Sequence, residues 1–202
     1  MPPVAPPSTF RVMRLQRIPV SAEATKTFRS LLELEKLTLH LPSDWTTKQY
    51  AADLRRASKP FRYPTNADTR QWKSLSTCMV CVGGGVVASC AAVQTREDEM
   101  FDVCTIEGVG THPDHRGAGH CKRLIRATLE HLAGAGFRAA RIHAYTDNPA
   151  ACRCYRSTFG APVHVADGIE AFEILFSRGT GRRQGAQMQA QAQAQATSPD
   201  GK

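Results

Sequence analysis

Two spacings of hydrophobic residues recur along the chain. Apolar residues at every second position predict strands, and apolar residues three or four positions apart predict helices. The spacing predicts strands over residues 10–18, 75–82, 86–95, 101–111, 139–145, 163–165 and 170–176. It predicts a first helix that starts at Ser21 and is ended by Pro42. Further helices are predicted over residues 45–57, 119–133 and 149–158. The predicted order is therefore β-α-α-β-β-β-α-β-α-β-β.

Local signals indicate where these elements start and where the chain is ordered. Ser43 or Asp44 is expected to cap the second helix. The glycines Gly83–Gly85 lie between two predicted strands and indicate a hairpin turn. Residues 1–9 are rich in proline and residues 179–202 are rich in alanine and glutamine, so both segments are predicted to be disordered. A single domain over residues 10–178 remains.

The composition narrows the class of protein. With 202 residues, 42% hydrophobic and 22% charged, the chain suits one soluble domain of ordinary size. No apolar run approaches the roughly 20 residues that span a bilayer. The N-terminus lacks the basic start and apolar stretch of a secretory signal, so a cytoplasmic protein is expected. The net charge of +8 suits a polyanionic partner.

The chain has seven cysteines, an odd number that favours reduced, buried thiols over a disulfide framework. Cys78 and Cys81 lie on a predicted strand and should point to opposite faces. Cys152 and Cys154 lie on a predicted helix, about 200° apart around its axis. Neither pair has the geometry of a zinc clamp, so no metal site is predicted.

A basic, glycine-rich turn follows the fourth predicted strand and opens the third predicted helix. At such a turn several backbone N–H groups converge on one point, and the positive end of the helix dipole lies behind them. Gly117 and Gly119 remove the side chains that would block close approach, which predicts a diphosphate site. A Rossmann fingerprint would need a third glycine where Lys122 stands, and a kinase-type phosphate loop would need Gly-Lys-Ser/Thr.

This turn resembles the signature of the GCN5-related N-acetyltransferase (GNAT) family, Gln/Arg-x-x-Gly-x-Gly/Ala. Arg116, Gly119 and Cys121 occupy its positions, although the family usually has Gly or Ala where Cys121 stands. A second segment, residues 138–160, resembles the family's fifth strand and the helix after it. There Asn148 matches the family's Asn-x-x-Ala motif and Tyr155 its catalytic tyrosine, while Phe159-Gly160 reverses the family's Gly-Phe.

The resemblance implies an α/β (α+β) fold with a mixed, mostly antiparallel central sheet flanked by helices. The fourth and fifth strands would diverge, and acetyl-CoA would lie in the gap as co-substrate, without a metal. The resemblance assigns cofactor contacts to Val109, Thr111, Arg116, Gly117, Ala118, Gly119, His120, Cys121, Lys122 and Asn148. Simpler roles stay open for two of them, since Arg116 could cap local carbonyls and Asn148 could cap the following helix.

The implied reaction is transfer of acetyl to a primary amine by direct attack in a ternary complex. Tyr155 would be the general acid for the departing thiolate, unless it is a core tyrosine. Glu107 would act as base through water, unless it faces solvent or pairs with an arginine. His143 and water alone are the alternatives for the base.

The acceptor cannot be predicted from the sequence, because residues 40–75 and the closing strands would form its site and match no motif. Carboxylates such as Asp44, Asp68, Glu107 and Glu170 could attract a cationic amine. A catalytically silent acyl-CoA-binding sensor or scaffold is the alternative function. A nucleic-acid-binding accessory protein is a third, although no basic-aromatic ribonucleoprotein pattern is present. A monomer or homodimer without membrane contact is expected.

Overall fold

The computed structural model describes residues 8–18, 21–22, 25–39, 41–59, 72–96 and 102–176. The two segments predicted to be disordered fall almost wholly outside these residues, as does Asp68. No helix within the described ranges is long and apolar enough to cross a membrane.

Within the described ranges, seven strands and four helices follow one another in the predicted order. The strands are β1 Thr9–Arg14, β2 Trp72–Val82, β3 Val86–Arg96, β4 Val103–Thr111, β5 Ala139–Tyr145, β6 His164–Ala166 and β7 Ile169–Leu175. The helices are α1 Lys26–Leu39, α2 Thr47–Ala57, α3 His120–Gly134 and α4 Pro149–Phe159.

The main differences from the predicted bounds lie in the first strand and the first two helices. The first strand ends at Arg14, not at residue 18, because a 3-10 turn follows and buries Leu15. Helix α1 begins after Thr25, whose hydroxyl accepts a hydrogen bond from the Phe28 N–H at 3.1 Å. Helix α2 is capped by Thr46 rather than by Ser43 or Asp44, because Thr46 and Gln49 form a reciprocal capping box.

All seven strands form one sheet in the order β1-β2-β3-β4-β5-β7-β6. Only β4 and β5 are parallel, and every other neighbouring pair is antiparallel. Helices α3 and α4 pack on one face of the sheet. The buried residues there include Leu124, Ile125 and Phe172, and we call this cluster the α3/α4 core. Helices α1 and α2 pack on the other face, the α1/α2 core, which includes Leu31 and Tyr50. The predicted mixed, mostly antiparallel fold is confirmed.

The sheet opens between β4 and β5. Their parallel pairing ends at Ile106↔Ile142, whereas β4 keeps its pairing with β3 as far as Ser89↔Thr111. The register between β3 and β4 shifts at this point, and Gly108 takes a left-handed φ of 58°, which marks a β-bulge. Beyond the bulge, therefore, no strand among the described residues pairs with this edge of β4.

Helix α1 packs very closely against the end of β4. A Cβ atom built on Gly110 would lie 2.5 Å from the Thr38 Oγ1 atom. Ser89 fixes the same strand end, because its hydroxyl donates to the Gly110 carbonyl at 2.7 Å. These contacts hold the strand that forms one wall of the opening.

Candidate active site

A cleft of about 770 Å³ lies where β4 and β5 part. The end of β4, the first turn of α3 and one side of α4 form its walls, and α1 contributes Leu37 and Thr38. The predicted cofactor residues that line it are Val109, Thr111, Arg116, Gly117, Gly119, His120, Cys121, Lys122 and Asn148. Tyr155 lines it as well, so the fold brings residues from two distant sequence motifs to one cleft.

The turn before α3 exposes its backbone to the cleft. Gly117 and Gly119 have φ values of 77° and 76°, a region that favours glycine. A Cβ atom at either position would meet no other atom within 4 Å, so the space in front of both glycines is open. Gly119 is the N-cap of α3 and no side chain in the described part of the chain caps this helix, which leaves the N–H groups of the first turn for another acceptor.

Positive charge surrounds these N–H groups. Arg116 and Lys122 line the cleft, and Arg116 is exposed with no side-chain hydrogen bond or ion pair to another described residue. The alternative role of Arg116, in which it caps local carbonyls, has no such hydrogen bond to support it within the described part of the chain. The cationic side chains and the helix dipole together favour a bound anion.

Three histidines lie in and next to this turn. The rings of His112, His115 and His120 form a chain of contacts with centroids 5.5 Å and 6.1 Å apart. His120 is buried, and its Nδ1 atom is enclosed without a hydrogen-bond partner among the described residues. Burial, followed by the charges of Arg123 and His115, lowers the pKa of His120, so this ring is neutral at pH 7.

Helix α4 forms the opposite wall. The Asn148 side chain accepts a hydrogen bond from the Ala151 N–H at 3.1 Å and so caps this helix, as its simpler role required. Tyr155 is 4% exposed and its ring meets Phe172 edge-on at 5.9 Å. Burial, followed by nearby thiols including Cys121, raises the pKa of Tyr155, so the phenol keeps its proton throughout the neutral range.

Glu170 has a structural partner rather than a place in the cleft. It is buried, and Arg156 of α4 donates two hydrogen bonds to its two carboxylate oxygens. This bidentate pair fastens α4 to β7. The structure therefore gives no support to Glu170 as a group that attracts a cationic acceptor.

Three predicted or alternative site residues lie away from the cleft lining. Ala118 is exposed and lines a separate shallow groove with Arg123 and Arg126. Glu107 is half-buried on β4 just before the bulge, opposite Ala92 of β3. His143 is exposed on β5, opposite Ala171 of β7.

Glu107 and His143 nevertheless share one face of the sheet. Their neighbours Ile106 and Ile142 point into the α3/α4 core, so side chains one position later point to the opposite face. Ile106 and Ile142 are also the last paired residues of β4 and β5. The two candidate bases are thus the next residues after the last β4–β5 pair, and their side chains lie on the α1/α2 side of the opening.

Some of the cleft lining could not be found from sequence motifs. Leu37, Thr38 and Cys154 line the cleft, and the Cys154 Sγ atom lies 2.9 Å from the Cys121 Sγ atom. Helical periodicity places Cys154 opposite the buried Cys152, but nothing in the sequence reveals that it meets a cysteine 33 residues away. No group of three or more His, Cys, Asp or Glu residues in the described ranges could hold a metal ion.

Comparison with known proteins decides the family. The model of the Acetyltransferase (GNAT) family matches residues 42–161, more than half of the chain. The chain belongs to the GNAT acetyltransferase family. A search of curated proteins finds no match. The matched range includes the turn before α3 as well as Asn148 and Tyr155, so the resemblance noted in the two motifs is confirmed.

Solved structures share the GNAT fold at low sequence identity. The ribosomal-protein-S18-alanine N-acetyltransferase from Escherichia coli is 14% identical, with a TM-score of 0.50 over 85% of this chain and 96% of that chain. The spermidine N-acetyltransferase from Vibrio cholerae in complex with CoA and spermine is 11% identical, with a TM-score of 0.53 over 85% and 96%. The protein yncA from Salmonella typhimurium, with its cofactor acetyl-CoA, is 16% identical, with a TM-score of 0.52 over 86% and 96%.

The cleft of this GNAT-family chain has the chemistry that acetyl-CoA needs. Open, glycine-lined N–H groups at the start of α3 fit a diphosphate. The unpaired edge of β4 after Ile106 offers backbone groups to an extended pantetheine arm. Tyr155 supplies a protonated phenol on the facing wall. The residues present therefore fit the group that the family implies.

Proposed function

We propose that this GNAT-family chain transfers an acetyl group from acetyl-CoA to a primary amine by direct attack in a ternary complex. One observation carries the proposal. The uncapped start of α3 and the phenol of Tyr155 face one cleft, at the place where β4 loses its neighbour β5. A diphosphate site and a proton donor on opposite walls suit a thioester that must be held at one end and cleaved at the other.

The first requirement of the reaction is that the cofactor be anchored. The N–H groups at Gly117, Gly119 and the first turn of α3 would bind the diphosphate, and Lys122 and Arg116 would add charge. Val109 and Thr111 would pair their backbone with the pantetheine arm at the free edge of β4. The Asn148 side-chain oxygen accepts one hydrogen bond from its own helix, so its second lone pair and the NH2 group are left for the arm.

Proton transfers complete the reaction. Acetyl-CoA, when bound, supplies the thioester whose acetyl group the amine takes. Tyr155 gives its proton to the departing sulfur, and the phenol carries that proton throughout the neutral range. Glu107 is the proposed base and acts through water, since its side chain does not line the cleft directly. His143 on the same face is the alternative base.

The acceptor is a primary amine that enters from the α1/α2 side of the opening, where both candidate bases point. Two structural neighbours define a useful starting panel, since their names specify an alanine of a ribosomal protein and the polyamines spermidine and spermine. Each is proposed here only as a class of amine to be tried.

The test is turnover over that panel. The purified full chain is incubated with acetyl-CoA and spermidine, spermine or a peptide with an N-terminal alanine, and released thiol and acetylated product are both measured. We expect stoichiometric thiol and product for at least one amine class. Saturable acetyl-CoA binding with no product from any amine would contradict the enzyme and favour the sensor or scaffold alternative.

A further inference from the structure

Two thiols from different helices meet inside the proposed cofactor cleft. Cys121 is in the first turn of α3 and Cys154 is in α4, and both line the cleft. Their Sγ atoms are 2.9 Å apart. The other five cysteines are buried in the two cores, so these two are the thiols that a dissolved reagent can reach.

The two sulfur atoms are close enough to bond without rearrangement of the fold. A disulfide bond is about 2.05 Å long, so the sulfurs need to approach by less than about 1 Å. Cys121 and Cys154 are already in contact in the folded chain, which raises their effective concentration for one another far above that of any external thiol.

The surroundings also lower the pKa of one of the two thiols. A hydrogen bond from Cys121, together with the charge of Lys122, lowers the pKa of Cys154 against the opposing effect of its burial. The same hydrogen bond, followed by burial, raises the pKa of Cys121, so the proton of the pair stays on Cys121. Cys154 is thus the more acidic thiol of the pair, and the thiolate that it forms is the nucleophile.

We propose that Cys121 and Cys154 are a redox modification site, oxidised by a small-molecule disulfide to an intramolecular disulfide that closes the cofactor cleft. The Cys154 thiolate attacks the small disulfide, forms a mixed disulfide and releases one thiolate. Cys121 then gives up its proton and attacks the Cys154 sulfur, which releases the second thiolate. The small disulfide is reduced to two thiols and the protein pair is oxidised by the same two electrons.

Closure follows from where the two residues lie. Cys121 belongs to the turn whose N–H groups are proposed to hold the diphosphate, and Cys154 directly precedes Tyr155. The two sulfur atoms already meet between the walls, so the pantetheine arm would pass there only if α3 and α4 separate locally, and closure means that a covalent bond prevents this separation. This consequence, unlike the bond itself, rests on the proposed function.

The experiment uses the full chain and oxidised glutathione. After incubation, free thiols are blocked, the protein is reduced, newly exposed thiols are labelled with a second reagent, and the labelled peptides are identified by mass spectrometry. We expect label on Cys121 and Cys154 only, and an intact mass that has lost two hydrogens. Cys121→Ser and Cys154→Ser should prevent the bond, whereas the matched control Cys152→Ser, a buried cysteine of the same helix α4, should form it normally.

The consequence is measured by calorimetric titration with acetyl-CoA, which has no free thiol that could reduce the bond. Oxidised protein, freed of glutathione, should bind at least about ten-fold more weakly than reduced protein, or about 1.4 kcal/mol. Dithiothreitol should restore the affinity. Label on other cysteines, or no bond at full oxidation, would overturn the modification site. Equal affinity of the oxidised and reduced forms for acetyl-CoA would overturn closure. If the reduced protein did not bind acetyl-CoA at all, the proposed function would be overturned, and closure with it.

Discussion

At the scale of single residues, burial sets the protonation states that matter most. Tyr155 and Glu35 are both buried, and desolvation raises the pKa of each. The consequences differ because Tyr155 lines the cleft and Glu35 lies in the α1/α2 core. For Tyr155 the result is a phenol that stays protonated throughout the neutral range. For Glu35 the result is a carboxyl group that links folding to pH.

Substitution of Tyr155 by Phe tests its role as the general acid. We expect kcat to fall by about 100-fold, because a positioned proton donor is lost. The affinity for acetyl-CoA should change little, because the ring and its contact with Phe172 stay in place. Steady-state kinetics and calorimetry separate the two effects. The control is Tyr145→Phe, an exposed tyrosine on β5; wild-type turnover in Tyr155→Phe would remove the proposed role.

Substitution of Glu35 by Gln tests the link between pH and stability. Burial raises the pKa of Glu35 from 4.5 to about 7, partly opposed by the neighbouring Tyr50 hydroxyl. Between these values the folded chain keeps a proton that the unfolded chain has released. The contribution of Glu35 to the free energy of unfolding should therefore be fully present below pH 4.5. The free energy of unfolding should then fall by about 3 kcal/mol as the pH rises through 7.

The measurement is chemical denaturation of wild type and Glu35→Gln between pH 4.5 and pH 8. The variant should lose most of the slope and exceed wild type at pH 8. Glu33→Gln, which changes an exposed carboxylate on the same helix, should keep the wild-type slope. Parallel curves for wild type and Glu35→Gln would show that the carboxyl ionises normally in the folded chain.

At the scale of elements, the opening of the sheet depends on how β4 is held. The bulge at Gly108 ends the pairing with β5, and the contact of Gly110 with Thr38 fixes the strand end against α1. Helix α4 is held separately, through the pair of Arg156 and Glu170. The end of β4 and helix α4 are thus fastened by different contacts, one to α1 and the other to β7.

Substitution of Gly110 by Ala tests the contact between β4 and α1. The added Cβ would lie 2.5 Å from Thr38 Oγ1, so we expect a loss of about 1–3 kcal/mol of stability by overpacking. Thr38→Ala removes that oxygen and one methyl group, and should reduce the cost of Gly110→Ala in a double-mutant cycle. Gly134→Ala, where nothing lies within 4 Å, is the control and should not destabilise. Additive effects at positions 110 and 38 would contradict the contact.

Sequence patterns predict elements better than they predict contacts. The order of all eleven elements follows from hydrophobic spacing, because each element buries one face. The cap of α2 could not be fixed in advance, because Ser43, Asp44 and Thr46 are all capping residues, and the capping box with Gln49 selects Thr46. The Arg156–Glu170 pair and the Cys121–Cys154 contact join elements far apart in sequence, so no local pattern encodes them.

At the scale of the whole molecule, the motifs and the fold give consistent evidence. The glycine-rich turn and the Asn148–Tyr155 segment are separated by a helix and a strand, and the sheet brings both to the gap between β4 and β5. Residues 42–161 match the GNAT family, and solved GNAT structures share the fold. The acceptor side is less defined, because residues 60–71 lie outside the described part of the chain.

The most direct test of the account is calorimetric titration of the reduced full chain with acetyl-CoA, in wild type and in two matched glycine variants. Gly119 and Gly136 flank the two ends of α3, both with left-handed φ and open space around them, but only Gly119 lines the cleft. We predict saturable one-to-one binding that Gly119→Ala weakens at least about ten-fold, or about 1.4 kcal/mol, and that Gly136→Ala leaves at the wild-type value. Absence of binding in wild type, or equal loss in both variants, would contradict the assignment of this cleft to acetyl-CoA.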